Sequence, residues 1–204
     1  MKKQIVIIHG GNVLDIKDDF LVQLEKRKVT IDDFKPRKNW KDGFLKELGG
    51  EFEIFTPKMP NKENAKYVAW KIWFEKLLPF IKDDVTLIGN SLGGLFLVKY
   101  LSESLFPKKI KSLILIATPY NGKNNKHNLN TDFSFNDNFE KITNQTDRIF
   151  LFHSTDDKVV PFADFEIYKE KLPKAITESF DNKGHFNIED FPTLIKTIRT
   201  LYKK

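Results

Sequence analysis

The chain has 204 residues, no cysteine and four histidines, and its 34 Lys and Arg against 28 Asp and Glu give a net charge of +6. Without thiols it can form neither disulfides nor cysteine-ligated metal sites, and four histidines are few for a histidine-rich centre, so we expect no metal. Thirty of the basic residues are Lys and only four are Arg, the residue best suited to reading phosphates and bases, so we expect no specific nucleic-acid partner.

Short apolar runs alternate along the chain with longer amphipathic patterns. The runs are rich in β-branched and aromatic residues and predict strands at 4–8, 52–56, 85–89, 111–117, 148–153 and 175–180. The intervening patterns predict helices at 17–28, 40–48, 64–81, 92–105, 163–171 and 188–202. This alternation is typical of an α/β fold, a three-layer α/β/α sandwich around a mostly parallel six-stranded sheet, in a single domain over 1–204.

Two segments interrupt this alternation. Residues 28–39 form a basic linker between two predicted helices. Residues 118–147 contain eight Asn, with Phe133, Phe135 and Phe139 spaced among them. A loop of this length inside a compact domain is either functional or disordered, so we expect a small lid or a flexible loop.

The N-terminal apolar run ends after residue 8 and is too short for the core of a signal peptide. No stretch approaches the roughly 18 apolar residues that would cross a bilayer. We therefore expect a cytoplasmic protein without a membrane span.

A strand, a G-x-S-x-G motif and a helix follow one another over 85–101. The motif is Gly89-Asn90-Ser91-Leu92-Gly93, and its small residues permit a sharp turn that presents the serine hydroxyl. The N–H groups at the start of the following helix can stabilise a developing oxyanion. The alternative is that Ser91 only caps the helix and the glycines serve a tight turn. The combination of strand, motif and helix favours a nucleophile.

With this motif the chain resembles the α/β-hydrolase fold family over nearly its whole length. The family places an oxyanion loop after an early strand, where this chain has His9-Gly10-Gly11-Asn12. The resemblance implies a minimal version of the fold with little or no cap, and an oxyanion hole formed by the backbone N–H groups of Gly11 and Leu92. The residues expected at the substrate pocket are His9, Asn12, Asn90, Phe133 and Phe135.

The family's order of nucleophile, acid and histidine continues after Ser91. The family's acid commonly stands in an Asp-x-x-Val-Pro turn, which selects Asp157 and leaves its neighbour Asp156 as the alternative. Gly184-His185-Phe186 follows the last predicted strand and resembles the turn that carries the family's histidine. Without the resemblance, these would be ordinary solvated turn residues.

These matches imply a serine hydrolase in which Ser91, His185 and Asp157 form a triad that needs no cofactor. Met59-Pro60 and the tryptophan-containing stretch Trp70–Phe74 resemble the small serine hydrolases of the retinoblastoma-binding-protein-9 type. The expected substrate is a small carboxylic ester, or a thioester or amide. The alternative is a non-catalytic interaction module on the same scaffold, although the sequence does not otherwise indicate a protein partner.

Overall fold

The computed structural model describes residues 2–14, 20–35, 38–121, 132–146 and 148–203. Its strands are β1 (Lys3–Ile8), β2 (Phe52–Phe55), β3 (Val85–Asn90), β4 (Ile110–Ile116), β5 (Ile149–Ser154) and β6 (Ile176–Phe180). Its α-helices are α1 (Phe20–Lys26), α2 (Trp40–Leu48), α3 (Tyr67–Glu75), α4 (Leu92–Glu103), α5 (Phe139–Thr143), α6 (Phe162–Lys171) and α7 (Pro192–Tyr202). Short 3-10 turns cover Ile31–Phe34, Lys62–Asn64 and Leu78–Phe80.

The six strands form one sheet in the order β2-β1-β3-β4-β5-β6, and all of its strand pairs are parallel. Buried residues of α3, α4, α5 and α6 pack on one face, and those of α2 and α7 pack on the other. The predicted three-layer α/β/α sandwich is therefore confirmed, with a fully parallel sheet. That a single domain spans 1–204 stays a prediction.

The central strands are buried on both faces, which explains their continuous apolar runs. In β1, Val6 and Ile8 belong to one core cluster, whereas Ile5 and Ile7 belong to the other. Side chains of a strand alternate between faces, so a strand between two helical layers needs apolar residues at every position. None of the described helices is long and apolar enough to cross a membrane.

The predicted single helix over 64–81 is wrong. The structure has α3 over Tyr67–Glu75, followed by a separate 3-10 turn in which Pro79 occupies one of the first positions. Proline lacks an N–H and its ring clashes with the preceding helical turn, so the chain leaves the helix before it. Of the predicted helix 17–28, residues 17–19 lie outside the described ranges, α1 covers Phe20–Lys26, and residues 27–28 are not helical.

The segment 118–147 is described only in part, because residues 122–131 and 147 lie outside the described ranges. Its three phenylalanines are buried in the core, with exposed fractions of 0% for Phe133, 1% for Phe135 and 6% for Phe139. The backbone N–H of Tyr67 donates to the Asp132 carboxylate at 2.8 Å and ties this stretch to the start of α3. These three phenylalanines therefore belong to the core, whereas a lid formed by the rest of the segment stays a prediction.

Helix α4 begins very close to the sheet, and glycines make this approach possible. A methyl group added to Gly93 would collide with the carbonyl oxygen of Ile8 and lie 2.7 Å from that of His9. A methyl group on Gly89 would collide with the backbone of Gly94. These contacts involve backbone atoms, which cannot move aside as a flexible side chain can. The glycines of the G-x-S-x-G motif are thus required by packing.

We expect Gly93→Ala to lower the free energy of unfolding by about 1–3 kcal/mol or more, because the added methyl group overpacks the contact between α4 and β1. Gly50→Ala is the matched control, since nothing lies within 4 Å of a methyl group there. Urea unfolding of both variants tests this. Equal stabilities of the two variants would contradict the close approach.

Candidate active site

The candidate site lies at the edge of the sheet where the parallel strands end. Ser91 directly follows β3, Asp157 lies in the loop after β5, and His185 lies in the turn after β6. In an open parallel sheet the carboxyl ends of all strands meet at the same edge, which is where ligands bind. The topology thus brings residues from distant parts of the sequence to one place.

Ser91 occupies an unusual backbone conformation between β3 and α4. Its φ of 54° and ψ of −124° lie in a region that residues other than glycine seldom adopt, at a cost of about 1–3 kcal/mol. Its N–H donates to the carbonyl of Ile116 at 2.8 Å, and its own carbonyl accepts the N–H of Gly94 at 2.8 Å. The hydrogen bonds on both sides hold the turn that projects the Ser91 hydroxyl.

Ser91, His185 and Asp157 form a continuous hydrogen-bonded chain. His185 Nε2 lies 2.9 Å from Ser91 Oγ, and His185 Nδ1 lies 2.8 Å from Asp157 Oδ2. A carboxylate can only accept, so Nδ1 carries the proton and Nε2 is left to accept the serine proton. The Asp157 side chain is fully buried, while 14% of the His185 side chain is exposed.

Hydrogen bonds within its own loop fix the position of the Asp157 carboxylate. Its second oxygen, Oδ1, accepts the N–H groups of Val159 at 2.7 Å and Val160 at 3.0 Å. These bonds satisfy the buried carboxylate and aim Oδ2 at His185. Asp157, and not its neighbour Asp156, is therefore the acid that contacts the ring. The catalytic roles of all three residues stay predictions.

The loop that follows β1 lies against Ser91. A methyl group on Gly10 would stand 3.2 Å from Ser91 Cβ, and one on Gly11 would stand 3.3 Å from the Leu92 side chain. His9 holds this loop: its Nε2 accepts the N–H of Met59 at 2.9 Å, so its Nδ1 donates to the Gly10 carbonyl at 2.6 Å. The trans peptide then directs the N–H of Gly11 away from that carbonyl.

The second expected donor, the N–H of Leu92, is the first of α4 and has no carbonyl partner within the helix. Gly11 and Leu92 both line the cavity that contains Ser91. The oxyanion hole formed by their N–H groups stays a prediction.

A cavity of about 530 Å³ opens beside Ser91. Most of its wall is apolar and comes from α4, from α6 and from the loops after β1, β4 and β5. Its apolar side chains include Val13, Leu95, Val159, Val160, Ala163 and Ile167. Sequence reasoning missed these residues. Leu95 could have been predicted, because it lies about one helical turn after Ser91. The pair Val159-Val160 could also have been predicted, because it begins two residues after Asp157.

The expected pocket residues are only partly at this cavity. Asn12 lines it, whereas His9 and the buried Asn90 are not among its lining residues. The prediction for Phe133 and Phe135 is wrong, because both are buried in the core and neither is among the residues that line the cavity. Phe133 packs edge-on against the rings of Tyr67 and Trp70.

Within the described ranges, no cluster of three or more potential ligands could hold a metal ion. Ser91, His185 and Asp157 place a hydroxyl, an imidazole and a carboxylate in line, which is the arrangement of a nucleophile beside a general base.

The chain shares its sequence family and its fold with known proteins. A family model of the alpha/beta hydrolase fold matches residues 38–148, more than half of the chain. The chain therefore belongs to the α/β-hydrolase fold family. No curated protein matches the sequence.

Solved structures share the fold at low sequence identity. The ydeN gene product of B. subtilis superposes with a TM-score of 0.75 at 18% identity, over 100% of both chains. A crystal structure from work on carboxylesterases of the Thaumarchaeon Nitrososphaera gargenis superposes with a TM-score of 0.60 at 13% identity. The match covers 98% of this chain and 89% of the other. MGS-M1, an alpha/beta hydrolase enzyme from a Medee basin deep-sea metagenome library, gives 0.57 at 15% identity, with coverages of 98% and 84%.

The half-buried His9 and the buried His153 flank the candidate site without contacting Ser91 in the described hydrogen bonds. Burial lowers the pKa of His9, whose Nε2 is already occupied as an acceptor. Burial also lowers the pKa of His153, whose Nε2 donates to the carbonyl of Val160 at 3.1 Å. Both imidazoles are therefore neutral in the folded protein near pH 7.

We expect the free energy of unfolding to decrease as the pH is lowered from 7.5 to 5.5. The unfolded chain takes up protons on His9 and His153 below about pH 6.5, whereas the folded chain resists protonation until the pH reaches its lowered pKa values. Urea unfolding across this range measures the effect, and the double variant His9→Gln/His153→Gln should have a shallower slope. An unchanged slope in that variant would contradict the assignment.

Proposed function

We propose that the protein is a serine hydrolase that cleaves carboxylic ester bonds, or thioester or amide bonds, of a small substrate. The observation that carries this proposal is the hydrogen-bonded chain Asp157–His185–Ser91, with its proton on His185 Nδ1, ending at a hydroxyl that lines a cavity. A bare hydroxyl is a poor nucleophile, and a base within 2.9 Å supplies the activation that it needs.

In the proposed reaction, His185 Nε2 takes the proton of Ser91 Oγ as that oxygen attacks the carbonyl carbon. The buried Asp157 carboxylate stabilises the resulting imidazolium. The negative charge that develops on the carbonyl oxygen is stabilised by the N–H groups of Gly11 and Leu92. His185 then gives the proton to the leaving alcohol, thiol or amine, and an acyl group stays on Ser91.

The second half of the proposed reaction uses the same groups with water as the nucleophile. His185 removes a proton from water as the oxygen attacks the acyl carbon, and Ser91 leaves after it regains a proton from His185. Every proton transfer uses this one imidazole, so the reaction needs neither a metal ion nor an organic cofactor. This is consistent with a site built from side chains and backbone N–H groups.

The cavity wall favours a substrate with an apolar part. Val13, Leu95 and Ile167 would contact an acyl or alcohol group bound beside Ser91. A volume of about 530 Å³ lies within the range of pockets that bind small molecules, roughly 300–1,000 Å³. The similarity to a structure of carboxylesterases supports an ester substrate. Membership of the retinoblastoma-binding-protein-9-type group and a cytoplasmic location stay predictions.

We expect Ser91→Ala to lower kcat on p-nitrophenyl esters by about 10⁴- to 10⁶-fold, because no other hydroxyl occupies the end of the triad. Ser104→Ala, at the far end of α4, is the matched control and should retain full activity. A panel of ester, thioester and amide substrates on the three proteins makes the comparison, with fluorophosphonate labelling as a second readout.

Equal turnover by wild type and Ser91→Ala would contradict the proposed nucleophile. Absence of both turnover and labelling in the wild type would instead favour the non-catalytic interaction module.

A further inference from the structure

A second carboxylate beside the candidate triad contacts the backbone of the turn that carries His185. Asp156 Oδ1 accepts the N–H of Gly184 at 2.9 Å and the hydroxyl of Ser154 at 2.5 Å. Ser154 Oγ in turn accepts the N–H of Lys183 at 3.1 Å. Two residues from the end of β5 thus hold two consecutive N–H groups directly before the histidine.

The turn that receives these bonds has a demanding backbone conformation. Gly184 and Phe186, on either side of His185, have φ values of 50° and 53°. The left-handed region suits glycine, but for Phe186 it costs about 1–3 kcal/mol, and such a conformation persists only where the surroundings determine it. Phe186 supplies one anchor, since its side chain is 2% exposed and packs against Phe180 and Phe191.

The other anchor is the pair Ser154 and Asp156. Phe186 fixes the turn after His185, whereas the hydrogen bonds from Ser154 and Asp156 fix it before His185. With the turn held on both sides, the His185 ring forms hydrogen bonds with Asp157 through Nδ1 and with Ser91 through Nε2. The adjacent carboxylates therefore make different contacts with the same turn: Asp157 bonds the ring and Asp156 bonds the backbone.

We propose that Asp156 is a positioning residue that, with Ser154, holds the backbone of the 183–186 turn so that His185 reaches both Ser91 and Asp157. This rests on the proposed function. Asp156 takes part in no proton transfer and touches no substrate; it acts through the position of His185. A displacement of about 1 Å in a reacting group can cost about 10²-fold in rate, so we expect the loss of this anchor to lower the rate of the proposed reaction.

An alternative role for Asp156 is electrostatic, as a second negative charge that makes His185 more basic. The two roles can be separated, because an Asn side chain keeps an oxygen that accepts both the Gly184 N–H and the Ser154 hydroxyl but carries no charge. If Asp156 acts by positioning, Asp156→Asn keeps the wild-type activity and Asp156→Ala loses activity. If it acts through its charge, both variants lose activity.

The test compares kcat, KM and the pH profile of ester hydrolysis in the wild type, Asp156→Ala and Asp156→Asn. Asp181→Ala is the matched control, an exposed carboxylate shortly before the same turn. We expect Asp156→Ala to have a kcat about 10- to 100-fold lower with little change in KM, since the turn is misplaced but the cavity is intact. Asp156→Asn should stay within about threefold of the wild type, with the same pH profile, and Asp181→Ala should equal the wild type.

A wild-type kcat in Asp156→Ala would overturn the positioning role. So would an Asp156→Asn variant as impaired as Asp156→Ala with a displaced pH profile, which is the electrostatic outcome. If Ser91→Ala abolishes turnover while Asp156→Ala keeps the wild-type kcat, this inference fails alone; no turnover in the wild type overturns the proposed function as well.

A second measurement does not depend on turnover. Amide hydrogen exchange at Gly184, followed by NMR, should be about tenfold faster in Asp156→Ala than in the wild type, as expected for the loss of one hydrogen bond. Asp156→Asn should retain the wild-type rate. An exchange rate that is unchanged in Asp156→Ala would overturn the anchor itself.

Discussion

The sharp reversal of the chain at Ser91 is the constraint on which the rest of the candidate site depends. A positive φ at a serine is costly, so neighbouring contacts must stabilise it. Helix α4 anchors the turn on one side, because all of its residues from Leu92 to Ser102 are buried. Glycines at 89 and 93 let the helix begin against the ends of β1 and β3. The same close approach sets the first N–H of the helix beside the serine hydroxyl and the loop after β1.

The parallel sheet then determines what can meet Ser91. The loops after β5 and β6 leave the sheet at the same edge, and their strands are neighbours that pair from Phe150 with Ile176 to Ser154 with Phe180. Because the pairing ends at that point, the next residues of both strands are already close. Beyond the paired residues, Ser154 and Asp156 accept hydrogen bonds from the N–H groups of Lys183 and Gly184. Asp157 then accepts a hydrogen bond from the ring of His185. The acid loop and the histidine turn behave as one continuous hydrogen-bonded unit.

Much of the fold could be predicted from the sequence, because strands buried on both faces leave long apolar runs. All six predicted strands are confirmed, with differences at their ends of at most one residue. The helix over 64–81 was harder to predict, since its apolar periodicity continues through Pro79 although the helix does not. Helix α5 lies in a segment where Asn dominates, and its short apolar pattern of Phe139 and Ile142 gives little periodic signal.

The candidate site was predictable where a motif fixes both residue type and spacing. Ser91, Asp157 and His185 could be selected in that way, and they lie within hydrogen-bond distance in the order expected. Phe133 and Phe135 could not be assigned, since an aromatic side chain suits a lid and a core equally, and only the packing on Tyr67 and Trp70 decides. The bond from Asp156 to Gly184 joins a side chain to a backbone N–H 28 residues away, which no local pattern reveals.

The most direct test of the proposed chemistry is a crystal structure of the protein after reaction with a fluorophosphonate. Its phosphorus mimics the tetrahedral carbon that the proposed reaction forms on the serine. We predict a bond from phosphorus to Ser91 Oγ, with the phosphoryl oxygen within about 3 Å of the backbone nitrogen atoms of Gly11 and Leu92. A covalent adduct on another residue, or a phosphoryl oxygen directed away from both N–H groups, would contradict the proposed mechanism.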